Sequence, residues 1–211
     1  LQPSAGQQQQ QIPSHLTHLF SHQATGGQGG MTVEVLKSAR EVSYLLDNMD
    51  PAEAAKYQYI KHMFSPILVY LGMFDTDMYG DMPYTEAVMA RYTNPMLLTP
   101  KFDTMEELYT IWYDQLVEAV NVLSNPVTVN GTQITQTALG AQDFVYGGNA
   151  AKWAKFANSL KLKLAVRLLH QNKAKALAIA KEAAANPAGL MTSLNDDFVY
   201  NKGSQEYHFG D

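Results

Sequence analysis

The chain has 211 residues, no cysteine, 46% hydrophobic and 17% charged residues, and a formal net charge of −5. The apolar share is that of a folded globular protein, and the lack of cysteine excludes disulfides, Cys-ligated zinc and thiol catalysis. The negative charge argues against nucleic acid as a partner, no stretch is apolar over the ~20 residues of a membrane span, and no signal peptide is visible.

Residues 1–30 form a separate compositional zone. They contain no Asp, Glu, Lys or Arg, and include a run of five glutamines and a glycine-rich patch. This composition predicts a flexible polar N-terminal segment, because little apolar area offsets the entropy cost of ordering it. His15, His18 and His22 fall at helical spacing within it and could bind a transition metal. With no carboxylate nearby in sequence, the polar tether is the favoured interpretation.

From residue 31 onward the pattern becomes helical. Capping residues and the 3.6-residue periodicity of apolar residues predict five helices. The first covers about 32–48, and the second begins at 51, after an Asp50 cap, and ends before an irregular stretch that starts at Asp75. The third runs from Asp103 or Thr104 to about 123, the fourth from about Asn149 to 169, and the fifth over 173–185. Residues 75–102 and 125–148 are predicted to be loops, and no strand alternation is evident. The fold class is therefore all-α, with antiparallel helix pairs and long inserted loops, in one domain over 31–211.

Residues 75–86 are rich in carboxylates and carry the most chemical information. Read as a calcium-binding loop, they have the expected residue types at positions one, three, six and twelve: Asp75, Asp77, Gly80 and Glu86. Tyr79 and Pro83 occupy positions five and nine, which does not fit that loop. The same carboxylates would suit a glycosidase if two of them flanked a glycosidic bond. A structured loop without metal or cofactor is the favoured interpretation, and no catalytic residue is assigned.

The stretch 149–181 is strongly basic. It carries eight Lys or Arg residues and no acid, so the rest of the chain has a formal charge of −13. Such a helical pair could contact phosphate or anionic lipid. No aromatic or Gly-rich nucleic-acid motif accompanies the basic residues, so we expect them to complement acidic helices of the same protein. One acidic helix predicted to pair with these basic residues contains Glu106, Glu107, Asp114 and Glu118.

Several sequence blocks resemble the SusD/RagB-type nutrient-binding proteins of Bacteroidetes. The resemblance covers about residues 44–200, and its most specific part is Asp-Phe-Val-Tyr-Gly-Gly-Asn at 143–149 followed by 153–167. The other matching blocks are 79–87, 102–109, 114–119 and 190–200. The resemblance implies helix pairs of degenerate tetratricopeptide type and a surface-exposed, lipid-anchored protein of the outer membrane. It also implies binding of an oligosaccharide or another nutrient, as a lid on a TonB-dependent β-barrel transporter.

The chain departs from the family pattern in two respects. No cysteine is present to carry a lipid, so the anchor is expected outside this sequence, and membrane contact is expected only through it. The chain has about half the usual length, so the helical domain is expected to be incomplete at its C-terminus. Within it, Asn158 is expected to be a buried hydrogen-bonding residue and Arg167 to form a structural ion pair.

The long loop is the predicted ligand-contact region, since extended loops on rigid helices often carry function. Sugars need aromatic faces for apolar contact, and carboxylates or amides for their hydroxyl groups. The predicted ligand-binding residues are Asp77, Tyr79, Asp81, Tyr84 and Asn94. The predicted function is a non-enzymatic nutrient-binding subunit of an uptake complex. The alternatives are a glycan-active hydrolase that uses the loop carboxylates, and a helix-pair interaction module that binds no glycan.

Overall fold

The computed structural model describes residues 31–199. Within them it shows helices α1 (Met31–Asp47), α2 (Pro51–Ala54), α3 (Gln58–Tyr79), α4 (Met105–Ser124), α5 (Ala150–Leu168) and α6 (Lys173–Ala185), and two short strands, β1 (Thr128–Val129) and β2 (Thr132–Gln133). Short 3-10 turns occupy Ala55–Tyr57, Ala90–Tyr92, Gly140–Gln142 and Leu194–Asp196. The fold is all-α, and its helix pairs are of the tetratricopeptide type.

Most helices begin where the capping residues predict. The Asp50 carboxylate accepts the first N–H groups of α2, and the side chains of Asn149 and Asn172 cap α5 and α6. Of the two predicted starts of α4, the structure uses Thr104, which forms a reciprocal capping box with Glu107. Each side chain satisfies N–H groups that have no partner within the helix.

The second predicted helix is divided in the structure into α2, the 3-10 turn Ala55–Tyr57 and α3. Helix α3 ends five residues later than predicted, and this corrects the loop boundary at Asp75. The carboxylate of Asp75 is buried and accepts the Thr32 N–H of α1 at 3.1 Å, so a residue that looks exposed in sequence joins two helices. The helix ends at Gly80, whose φ of +77° suits glycine. Because 75–79 are helical, they cannot form the first half of a calcium-binding loop. Among residues 31–199, no group of three or more metal-ligating side chains occurs.

The loop predicted over 125–148 contains an antiparallel hairpin that the sequence interpretation missed. Thr128 pairs with Gln133, and Val129 with Thr132. Asn130 and Gly131, which connect the strands, both have positive φ angles, the conformation of a two-residue hairpin turn. Each strand has only two residues, which is too short for an alternating pattern to show in the sequence.

The helices pack in chain order, α1 on α3, α3 on α4, α4 on α5 and α5 on α6, with a further contact between α3 and α5. Trp112 of α4 is fully buried at the centre of the core. Its indole ring fits only because the facing residue of α3 is Gly72, where an added Cβ would lie 2.5 Å from Trp112 Cζ2. The α5 residues Trp153, Phe156 and Leu160 are buried in the same core.

Two polar residues of α5 confirm their predicted structural roles. Asn158 is fully buried and donates through Nδ2 to the carbonyl oxygens of Ala183 and Gly189, at 2.9 and 2.8 Å. Arg167 forms an ion pair with Asp77 of α3. Both contacts cross between elements, so they fix the position of α5 relative to its neighbours.

Three of the eight basic side chains of the stretch 149–181 form ion pairs, but not with the predicted helix. Lys155 pairs with Asp196 at 2.9 Å, Lys161 with Glu182 at 2.8 Å, and Arg167 with Asp77. Among the described residues, no ion pair links the stretch to Glu106, Glu107, Asp114 or Glu118, so that part of the prediction is wrong. Sequence reasoning chose the acidic helix by composition, whereas the pairs form with single acids on three other elements.

Two buried aspartates organise the connections around α5. The carboxylate of Asp143 accepts the Trp153 indole N–H at 2.7 Å and three backbone N–H groups of the turn that leads into the helix. Burial alone would raise the pKa of Asp143, but these hydrogen bonds hold it below its usual range. The Lys155 ammonium, then the Thr192 N–H and the Ser193 hydroxyl, lower the pKa of Asp196 to about 2.

The remaining expectations concern residues that the structure does not describe. The flexible segment 1–30, with His15, His18 and His22, and the last residues of the predicted domain lie outside the described range. The domain boundary at residue 31 stays a prediction. Within 31–199, no helix is both long and apolar enough to cross a membrane.

The contact between Gly72 and Trp112 makes the first testable prediction. Gly72→Ala should lower the free energy of unfolding by about 1–3 kcal/mol, because the new methyl group overlaps a buried ring that has no room to move. Urea unfolding measures this. In a Trp112→Phe background, which removes the contacting ring atoms, the penalty should shrink. An equal penalty in both backgrounds would contradict the proposed overlap.

The lowered carboxyl pKa values predict acid sensitivity. A carboxyl group whose pKa is depressed in the folded state contributes stability above its unfolded pKa of about 3.9, and loses it as the pH falls towards the folded value. The urea concentration at the midpoint of unfolding should therefore decrease as the pH is lowered from about 5 to about 2. Asp196→Asn should flatten this dependence, and Asp197→Asn, at the exposed neighbouring position, should not. Identical pH profiles for Asp196→Asn and the unaltered protein would refute the assignment.

Candidate functional site

The five residues predicted to bind ligand do not converge on one site. Asp77 and Tyr79 lie in the last turn of α3, whereas Asp81, Tyr84 and Asn94 lie in the segment 80–104, here called the long loop. No hydrogen bond among the described residues joins any two of the five. Most of them hold the loop or the helices in place.

Asp77, Tyr79 and Asp81 serve the scaffold. Asp77 receives two hydrogen bonds from the Arg167 guanidinium, one of them from Nε at 3.3 Å, and this contact raises the pKa of Arg167. The Tyr79 hydroxyl is buried and has no partner among the described residues. The Asp81 carboxylate accepts the Met105 N–H at 2.9 Å and so helps to cap α4.

Tyr84 is a core residue, and its side chain offers no face to a ligand in this structure. It is 1% exposed and packs edge-on against Trp112, with ring centroids 5.8 Å apart. Its hydroxyl donates to Gln115 Oε1 at 2.8 Å, and burial raises its pKa to about 12. Sequence reasoning assigned it to ligand contact because it lies in the long loop and has an aromatic face.

Asp103, which the sequence interpretation treated only as a helix start, is the main anchor of the long loop. Its carboxylate is fully buried and accepts the N–H groups of Tyr84 and Thr85, at 2.9 and 2.7 Å, and the Thr85 hydroxyl at 2.7 Å. Lys101 lies 3.1 Å away. Burial would raise the pKa of Asp103, but the hydrogen bonds from Thr85 and Lys101 lower it below its usual range.

Helix α1 holds the same loop from the other side. Arg40 Nη2 donates to the carbonyl oxygens of Tyr84 and Thr85, at 3.1 and 2.9 Å. A backbone bridge between Met82 and Asp103 closes the base of the loop. Both ends of the loop are therefore fixed, and most residues between 91 and 102 are exposed.

The middle of the long loop contacts α1 through a pair of tyrosines. The rings of Tyr44 and Tyr92 lie 5.1 Å apart, and the Tyr92 hydroxyl donates to Glu41 at 2.6 Å. Arg91 pairs with the same carboxylate at 3.0 Å. Asn94 follows in the loop and is exposed, as is 43% of Tyr44. We call these five residues the tyrosine–asparagine surface.

This surface has the chemistry expected of a saccharide site. It offers aromatic faces, an amide, a carboxylate and a guanidinium within one small area, on a loop with fixed ends. Of the predicted residues, only Asn94 belongs to it. Tyr92 could have been found by its closeness to Asn94 in sequence. Tyr44 and Glu41 could not, because the fold brings them there from a distant helix.

The loop carboxylates are not arranged as a pair of catalytic acids. Asp77 is bound to Arg167, and Asp81 to a backbone N–H of α4. A glycosidase needs two carboxyl groups that face one glycosidic bond, with pKa values set apart. The described geometry gives each of these two carboxylates a separate structural partner.

Comparison with known proteins supports one family. A family model described as SusD-like, Susd and RagB outer membrane lipoprotein, matches residues 33–209. No curated protein sequence matches the chain.

Solved structures of SusD homologues share the fold. A homologue from Bacteroides uniformis is 29% identical, with a TM-score of 0.58, and the match covers 79% of this chain and 30% of the homologue's chain. A SusD-like protein of Bacteroidetes AC2a is 27% identical, with a TM-score of 0.63 over 83% and 28%. A chitin-binding protein is 26% identical, with a TM-score of 0.58 over 77% and 30%. The chain thus spans about a third of these structures, and it belongs to the SusD-like family of outer membrane lipoproteins.

Proposed function

We propose that the chain is the helical part of a non-enzymatic nutrient-binding protein, and that the tyrosine–asparagine surface contacts an oligosaccharide. The observation that carries the proposal is the exposed Tyr44 ring beside Tyr92 and Asn94, on a loop that is fixed at both ends. Stacking of a sugar ring on an aromatic face removes apolar area from water, and the amide and carboxylate supply partners for hydroxyl groups.

Two further observations support the choice of ligand class. The family described as SusD-like covers most of the chain, and one neighbour at 26% identity is a chitin-binding protein. We therefore expect a neutral oligosaccharide, with chito-oligosaccharides as the first ligands to test. An anchored loop favours such binding, because less conformational entropy is lost when the ligand arrives.

The cellular role proposed for the protein follows from the family. The protein would be lipid-anchored at the outer membrane on the cell surface, and would cover a TonB-dependent β-barrel transporter as a lid. Affinity purification of the tagged protein from its host should then recover a β-barrel of that class. A protein that binds no glycan across a broad panel, yet binds another protein, would instead be a helix-pair interaction module.

Saccharide binding can be tested with a matched pair of tyrosines. Tyr44→Ala and Asn94→Ala should each weaken chito-oligosaccharide binding by about 3- to 10-fold in calorimetry, the value of one aromatic or hydrogen-bond contact. Tyr70, on α3, is 41% exposed against 43% for Tyr44. Tyr70→Ala should leave the affinity unchanged.

The outcomes of this experiment separate the three functional hypotheses. Equal loss of affinity in Tyr44→Ala and Tyr70→Ala would place the ligand elsewhere or show general destabilisation. Binding without release of reducing ends agrees with the proposal. Release of reducing ends that Asp77→Asn or Asp81→Asn abolishes would establish the hydrolase instead.

The role of Asp103 makes a separate prediction. Asp103→Asn should destabilise the protein by about 1–3 kcal/mol, because a neutral amide cannot accept all the donors that face the carboxylate. Amide hydrogen exchange should then increase over residues 82–102, and saccharide affinity should fall with it. Asp114→Asn, at an exposed carboxylate of α4, serves as the control. Unchanged exchange in the loop of the Asp103 variant would contradict its role as the anchor.

A further inference from the structure

A second polar cleft lies apart from the tyrosine–asparagine surface, between α1, α3 and α4. Its volume is about 210 Å³, below the roughly 300–1,000 Å³ of pockets that hold drug-sized ligands, so it suits one small group. Its lining is rich in hydrogen-bond donors, which are Arg40, Ser43, Lys61, His62, Ser65 and Gln115.

Several of these donors lack an acceptor. Arg40 donates through Nη2 to the carbonyl oxygens of Tyr84 and Thr85, whereas its Nε–H is buried without a partner among the described residues. The hydroxyls of Ser43 and Ser65 form no hydrogen bond with any described residue. Gln115 accepts the Tyr84 hydroxyl through Oε1, which leaves its NH₂ group to donate. Arg40 Nε is the buried donor among these, and buried donors are normally satisfied, so the cleft is suited to a ligand that accepts hydrogen bonds.

His62 lies between a carbonyl group and a carboxylate. Nδ1 lies 2.7 Å from the Gln58 carbonyl oxygen, which can only accept, so Nδ1 carries a hydrogen. Nε2 lies 3.3 Å from Glu118 Oε1. In the protonated form of the ring, Nε2 also carries a hydrogen and can donate it to this carboxylate, or to an oxyanion in its place.

The charges that face the cleft favour an anion. Arg40 comes from α1, Lys61 and His62 from α3, and Glu118 from α4; Lys61 also lies 3.8 Å from Asp47 at the end of α1. The single carboxylate of the lining, Glu118, is 68% exposed. Glu118 thus sits at the rim and occupies the position beside His62 that an entering oxyanion would take.

We infer that this cleft is a binding site for a small oxyanion, a carboxylate or sulfate group, with the Glu118 carboxylate as an internal competitor. The ligand displaces Glu118 from His62 and accepts hydrogen bonds from the imidazolium and from the serine and amide donors. The cleft is a different surface from the proposed oligosaccharide site, so it would stand even if no neutral sugar bound to the protein.

The test uses sodium sulfate and sodium glucuronate as probes, with glucose as the uncharged analogue and sodium chloride to keep the ionic strength constant. Calorimetry or thermal shift should show saturable binding of at least one oxyanion and none of glucose. Binding of sulfate alone, or of glucuronate alone, identifies the source of the oxyanion. Equal thermal shifts for sulfate, glucuronate and chloride would overturn the proposal.

Two variants are expected to change the affinity for the oxyanion in opposite directions. Glu118→Gln should strengthen oxyanion binding by about two- to fivefold, since it removes the competing charge at an exposed position. His62→Gln should weaken it by about tenfold or more, since it removes a charge-assisted donor. Asp114→Asn, an exposed acid on the same helix, should have no effect. Weaker binding in Glu118→Gln would refute the competition.

A third variant keeps the test decisive. If His62→Gln fails to fold by circular dichroism, Lys61→Gln replaces it and should weaken oxyanion binding, since it removes a positive charge from the lining of the cleft. Tyr44→Ala should leave oxyanion binding intact, which separates this site from the proposed oligosaccharide surface.

Discussion

The buried carboxylate of Asp103 is the contact on which the shape of the exposed surface depends. It lies directly before the cap of α4 and collects donors from Tyr84 and Thr85, which lie almost twenty residues earlier in the chain. The two ends of the long loop are thereby brought together at the helices. Between these two ends, Tyr92 lies against Tyr44 on α1. An uncompensated buried charge would be costly, so the loop backbone is held wherever it can supply N–H groups to this carboxylate.

Buried carboxylates also hold the connections before α5 and after α6. Asp143 collects three backbone N–H groups and the Trp153 indole, and so fixes the turn into α5. Asp196 does the same for the segment after α6, with Lys155 as an additional charged partner. An all-α domain with long connections has few ladders to hold its loops. Carboxylates that point inwards replace those ladders, and charge-assisted hydrogen bonds are stronger than neutral ones.

The sequence predicted what is decided locally. The starts of α2, α4 and α5 follow from Asp50, Thr104 and Asn149, because a cap acts on the next few residues. The end of α3 could not be predicted, because the partner of Asp75 is Thr32, 43 residues away. Tyr84 was misplaced for the same reason, since only the packing against Trp112 shows that it is buried. Of the candidate surface, sequence reasoning identified Asn94 but missed the tyrosines that the fold places beside it.

Helix α1 connects the two surfaces, because neighbouring residues on it face different ones. Glu41 binds Tyr92 and Arg91 of the long loop, whereas Arg40 lines the cleft between α1, α3 and α4 and also holds the carbonyls of Tyr84 and Thr85. A ligand in the cleft that draws on the Arg40 guanidinium would act on the group that positions the base of the loop. Any change in loop order caused in this way would alter saccharide affinity, and thermodynamic linkage requires the saccharide to alter oxyanion affinity by the same factor. The physical link is Arg40, whose Nη2 binds the loop carbonyls while its buried Nε–H has no partner among the described residues.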